Sequence, residues 1–154
     1  MNTASARLYE TDFYGWIQQQ ADRLRARNFA QLDIDNLTEE IQDMGRSEKR
    51  ELRSRLTVLF LHLLKWQYQP ARRGRSWELS IKEQRFEIGY HLAGNPSLKP
   101  LLPEIVDIAW QGAKIQAERE TGLNGDTFPA QCPWTFEQAM DEHFWPATPA
   151  PQPA

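Results

Sequence analysis

From Leu37 onward a single face repeats along the chain. Leu37, Ile41, Gly45, Glu48, Leu52, Leu56, Leu59, Leu63 and Trp66 fall at the three- and four-residue steps of an α-helix. No proline interrupts before Pro70, so the spacing predicts one helix over residues 35–68, of about 33 residues and on the order of 50 Å long. Asp35 or Asn36 is placed to cap it. Gly45 is its weak point, costing up to ~1 kcal/mol against alanine. It marks either a kink or a place where another helix packs closely. From Val58 to Leu64 the residues are apolar at every angle except His62. A helix that is apolar all round has neighbours all round, which makes this stretch the expected centre of the fold.

Shorter amphipathic segments flank the rod. Residues 1–8 carry no such pattern and are expected to fray. Thr11 or Asp12 can cap a first helix in which Phe13, Trp16, Ile17, Ala21 and Leu24 recur, and Arg23, Arg25 and Arg27 suit its C-terminal end. Phe29 to Ile34 reads as a connection. After a turn at 69–74, Ser76 is placed to cap a helix bearing Trp77, Ile81, Ile88 and Leu92, which stops at Gly94-Asn95-Pro96. From about Pro103 a further helix carries Ile105, Val106, Ala109, Ala113 and Ala117, with Gly122 placed to end it. Beyond a loop at 123–134, Thr135 and Gln138 have capping-box spacing for a short last helix. The tail 147–154, rich in Pro and Ala, is expected to be disordered. With no strand pattern, the expected fold class is all-α: a helical bundle of four to five helices around one long central helix, in a single domain over residues 8–146.

Composition narrows the setting. A chain of 154 residues, 40% hydrophobic and 25% charged, has the ordinary balance of one globular domain able to bury a core. Its longest apolar run, VLFLHLL, falls far short of the ~18 residues that span a bilayer, and MNTASARLYETD holds no apolar export signal. Cys132 is the only cysteine, which excludes an intrachain disulfide and a four-thiolate zinc site. These features lead to the expectation of a cytoplasmic protein with no membrane partner and no cofactor. The net charge of −3 is unevenly spread, with eleven Lys/Arg against four Asp/Glu in residues 46–85 and seven against seventeen elsewhere. Opposite-signed regions most often pair with each other on folding.

Several stretches carry a resemblance: LYETDFYGW, LDIDNLTEEIQDMGRSEKREL, HLLKWQYQPARRGRSW, NPSLKP and FPAQCPWTFEQ. In this order and spacing, from residue 8 to about 146, the chain resembles the bacterial "domain of unknown function 29" family. The resemblance implies an all-helical fold and a non-secreted bacterial origin, and it supplies no reaction, ligand or catalytic residue.

Four groups of residues are candidates for chemistry. Ile41, Glu48, Arg55, His62 and Gln69 recur every seven residues, a row that drifts by only about 20° per step across one face. Buried charge in such a row must find partners. The row is either an internal network that fixes helix register or an anion or small-ligand pocket beside His62; a separate reading makes His62 a general base with Glu48 or Glu40 nearby. Glu39, Glu40 and Asp43 form an acidic group, but a helix N-terminus favours carboxylates without any metal. Leucine stands three residues before His62 and isoleucine three before His91, so the di-iron pattern is absent and no metal is expected. Over residues 65–85, Arg72, Arg73, Arg75 and Arg85 interleave with Trp66 and Trp77 and can hold phosphates, as can Arg55 on the long helix. The same arginines can equally stack on their own tryptophans. Cys132 lacks a sequence-local base.

With neither a Gly-x-Ser-x-Gly nor a glycine-rich phosphate loop, the leading expectation is a non-enzymatic helical interaction module. It would bind a protein partner, or itself, through tryptophans such as Trp110, Trp134 and Trp145. The alternative is a nucleic-acid or phosphate-binding module on the Arg/Trp segment 65–85, and the third is a small enzyme using His62.

Overall fold

The structure, a computed structural model, describes residues 3–150. Six α-helices account for most of them: α1 (Thr3–Thr11), α2 (Phe13–Arg25), α3 (Ile34–Tyr68), α4 (Arg75–Gly94), α5 (Leu102–Thr121) and α6 (Phe136–Met140). The all-α expectation holds. α3 is unbroken, within a residue of its expected ends. Gly45 neither interrupts it nor receives a close neighbour, since a side chain there would meet open space. The chain divides into two compact units, one ending at Ser47 and the other beginning at Glu48.

In the first unit, α1 and α2 fold back on each other about Asp12. The carboxylate of Asp12 accepts from the Gly15 amide at 3.0 Å and so caps α2. The expectation of a frayed start is corrected for residues 3–8, which belong to α1; residues 1 and 2 lie outside the described residues. Polar bonds fix this hairpin. The buried Ser5 hydroxyl donates to Gln19 at 3.1 Å and accepts from Arg23, whose guanidinium also reaches the Gln31 carbonyl at 2.8 Å. Tyr9, Phe13 and Trp16 form a ring cluster, Tyr9 standing edge-on to Trp16 at 4.8 Å. Asp33 ties this hairpin to the start of α3, accepting from the Trp16 indole at 3.0 Å and the Asn36 amide at 2.8 Å. The expected caps, Asp35 and Asn36, already lie inside the helix.

The second unit holds the large apolar core. Leu52, Leu56, Leu59, Phe60, Leu61, Leu63 and Leu64 of α3 are buried; the last five belong to the stretch that was apolar all round, of which Val58 is half-buried. α4 runs antiparallel to them: Glu48 meets His91, Arg55 faces Glu87, and Lys65 lies over Trp77. α5 runs parallel, with Lys49 on Glu104, Thr57 against Gly112 and Lys65 on Glu120. Those three contacts are spaced by eight residues on both helices, a constant register. Ala109, Ala113 and Ala117 repeat every four residues along the buried face of α5, and small side chains allow that close approach. The Lys49 and Lys65 pairs also join the basic segment to the acidic remainder, as its charge predicted. The loop after α5 closes the remaining side with Phe128 and Trp134. Gly122, at φ 74°, ends α5 in the left-handed conformation that glycine adopts without strain. Thr135 caps α6 by accepting from the Gln138 amide. The expected cap Ser76 instead lies inside α4, whose preceding residue is Gly74. Of the tail expected to be disordered, residues 147–150 have no regular structure and 151–154 lie outside the described residues.

Candidate functional site

The seven-residue row on α3 does not bond to itself. Exposed Glu48 accepts from the His91 imidazole at its main-chain oxygen, 2.9 Å away, with its carboxylate 3.5 Å from the same nitrogen. Arg55 is held by Glu51 at 2.8 Å, with Glu87 at 3.9 Å. His62 places Nδ1 2.8 Å from the Val58 carbonyl one turn back, which fixes the proton on Nδ1. Burial lowers its pKa, so the neutral ring is favoured, and no ion pair reaches it among the described residues. A base needs an orienting partner and an acid or nucleophile within reach, and Glu48 and Glu40 are both engaged elsewhere. Glu40 accepts a 2.5 Å bond from the Tyr9 hydroxyl, and that bond, with burial second, pushes the phenol up to about 12. Glu39 and Asp43 both bind Arg46, at 2.7 and 3.3 Å. Among the described residues no three His, Cys, Asp or Glu side chains converge as metal ligands.

The Arg/Trp segment divides. Arg73 donates to the Trp66 carbonyl at 2.6 Å and to Thr148 at 3.0 Å, with its guanidinium 5.2 Å from the Trp66 ring. Arg85 is buried: Nε donates to the Ala139 carbonyl and Nη2 to the Phe144 carbonyl, both at 2.8 Å, while the guanidinium lies over Trp145. Lys65 stands 4.8 Å over Trp77. Of the cations in the segment, Arg72, Arg75 and Lys82 project into solvent with no ion pair among the described residues. Cys132 is half-buried, its thiol donating to the Trp134 carbonyl, and burial pushes its pKa up, away from the nucleophilic thiolate.

Two of the three expected binding tryptophans, Trp110 and Trp134, are corrected. Trp110 and Trp134 are core residues, with the Trp110 indole spent on the Pro129 carbonyl at 3.0 Å, whereas the half-buried Trp145 packs on Trp66 at 4.5 Å with ring planes tilted by 40°. Large rings are drawn inward whenever a core can take them.

What stands in water is different. On α4, Phe86 and Tyr90 are 70% and 74% exposed, with rings stacked at 6.4 Å and 15°. Leu79, also exposed, lies on the same side of the helix. Phe86 forms one lip of a groove of about 630 Å³ between α4 and the segment after α6. Met140 and Trp145 give it apolar wall, and Lys82, Arg85, Glu78, Glu142 and His143 give it polar groups of both signs. Arg85 builds this groove by pinning Ala139 and Phe144 to α4. Sequence reasoning missed Phe86 and Tyr90; their spacing of four residues, off the Trp77, Ile81, Ile88 and Leu92 face, was the available signal.

No helix among the described residues is long and apolar enough to cross a membrane. No curated protein and no solved structure matches the chain. The stretch from residue 8 to 145, which holds the α4 groove and the whole of α3, matches one family throughout: the chain belongs to the family described as Domain of unknown function DUF29.

Proposed function

We propose that this chain is a non-enzymatic, cytoplasmic helical interaction module that takes a protein partner on the outer face of α4. The observation that carries the reading is the Phe86–Tyr90 pair, two large rings left in water beside a groove lined by Met140 and Trp145. An interaction surface is recognised by aromatic side chains beside a pocket with a polar rim. Rings already stacked on each other lose little freedom when a partner covers them. The groove's mixed charges suit a peptide chain better than a polyanion.

The test compares the wild-type chain with Phe86→Ala combined with Tyr90→Ala, in quantitative affinity capture and in sedimentation velocity. Both sites are exposed, so the variant is expected to fold normally while losing about 2 kcal/mol or more of binding, a fall of at least about thirtyfold in affinity. Equal capture by both proteins removes the α4 face as the docking surface. A nucleic-acid or phosphate role keeps one supporting observation, the solvent-facing Arg72 and Arg75. Their neighbour Trp77 already carries Lys65 on its ring.

A further inference from the structure

The chain after α6 lies over the Arg/Trp segment. Phe144 to Thr148 has no regular structure and joins two arginines. Nη2 of Arg85 donates to the Phe144 carbonyl at 2.8 Å, and Nη2 of Arg73 donates to the Thr148 hydroxyl at 3.0 Å. Between them Trp145 packs on Trp66 at 4.5 Å. The Arg73 guanidinium lies 5.2 Å from the Trp66 ring, and that of Arg85 lies 5.5 Å from the Trp145 ring. Guanidinium, indole, indole and guanidinium thus follow one another, with Pro146 buried beside them. Trp145 occupies the place of a flat aromatic ligand, and the Thr148 oxygen occupies the place of an anion's oxygen.

This strap matches the shape of the site and not its charge. Residues 144–150, FWPATPA, contain no Asp or Glu, so Arg73 receives a neutral hydroxyl. Arg72, Arg75 and Lys82 have no ion pair among the described residues. Residues 65–85 hold six Lys/Arg against two Asp/Glu, an excess that attracts a polyanion. A nucleotide strand supplies a ring and a charge in every unit, stacking bases on indoles and setting phosphates on guanidiniums. An acidic peptide carries ring and charge on separate residues. We propose that Trp66 and Arg73, with Arg72 and Arg75 beside them, bind single-stranded nucleic acid, and that residues 145–148 close this site in cis. Strand and strap compete, so the apparent affinity is the intrinsic one scaled by the fraction of open chains. Phe144, whose ring meets Trp134 edge-on at 6.0 Å, stays seated as the hinge. Trp145 also lines the α4 groove, so a protein seated there holds the strap shut. The strand site uses neither Phe86 nor Tyr90, so either reading can fail alone.

The test titrates the full chain into a fluorescently labelled oligouridylate of about 15 nucleotides and reads anisotropy. Trp145→Ala with Thr148→Ala opens the site and is expected to bind at least about tenfold tighter than the parent, the affinity falling steeply as salt rises. Adding Trp66→Ala to the opened chain lowers the affinity at least about fivefold without changing the charge, a loss that a misfolded polycation would not show. Thr148→Ala alone, at an exposed site, leaves the core intact and raises affinity about threefold, which decides the matter should the double variant fail to fold. Polyglutamate of similar length is expected to bind no variant. No gain on opening, an opened chain indifferent to Trp66→Ala, or equal binding of polyglutamate overturns the proposal.

Discussion

Replacing Trp110 by alanine is expected to lower the unfolding free energy by about 3–5 kcal/mol, the range for truncating a fully buried large aromatic. The side chain has no exposed surface, and its ring meets Phe60 edge-on at 5.8 Å and Trp134 at 5.4 Å. Its indole also satisfies the Pro129 carbonyl, so truncation opens a cavity and orphans an acceptor in the loop that closes the core. Since whole domains are stable by only about 5–15 kcal/mol, a loss of this size removes a large part of the total. Urea unfolding followed by circular dichroism measures it. Trp110→Phe keeps most of the volume and is expected to cost about 1–2 kcal/mol, chiefly the lost hydrogen bond. Were Trp110→Ala as stable as the parent, the packing described around α5 would be wrong.

Arg85→Met is the second large effect, about 3 kcal/mol of destabilisation. Methionine keeps the stem's packing but leaves the Ala139 and Phe144 carbonyls without the guanidinium that holds both. Lysine recovers only part of the loss, because a single ammonium cannot fork to two carbonyls as a planar guanidinium does. The segment from Met140 to Trp145 should loosen with it, read as faster limited proteolysis there than at α5. A variant with parental stability and parental proteolysis would show that Arg85 does not hold that segment.

Much of the framework was readable because it follows from periodicity and chain chemistry. The ends of α3, the capping by Asp12 and Thr135, and the stop at Gly122 each depend on local steric or hydrogen-bonding rules. The burial of Leu59 to Leu64 follows from an apolar girth that no single neighbour can cover. Side-chain roles were less readable, since residue type states a preference for burial and not a position. Trp110 and Trp134 have the composition of a binding surface and the location of a core. Phe13, Ile17, Leu24 and Ile41 sit at core-like spacing and stand in solvent, because the first unit is held largely by Ser5, Gln20 and Asp33 rather than by apolar packing. Arg85 looked like one more cation in a basic segment; only the return of the chain after α6 gives it two carbonyls to hold. That contact spans more than fifty residues, and no local pattern encodes it.

α3 is sealed in its second half and carries exposed apolar side chains along its first. Hydrogen exchange followed by mass spectrometry reads this directly in the free chain. Amides of residues 52–64 should exchange only through unfolding of the second unit, while those of residues 37–46, with little apolar cover, exchange about 100-fold faster or more. Equally slow exchange over both halves would mean that Ile41 and Met44 are already covered, and would contradict the account.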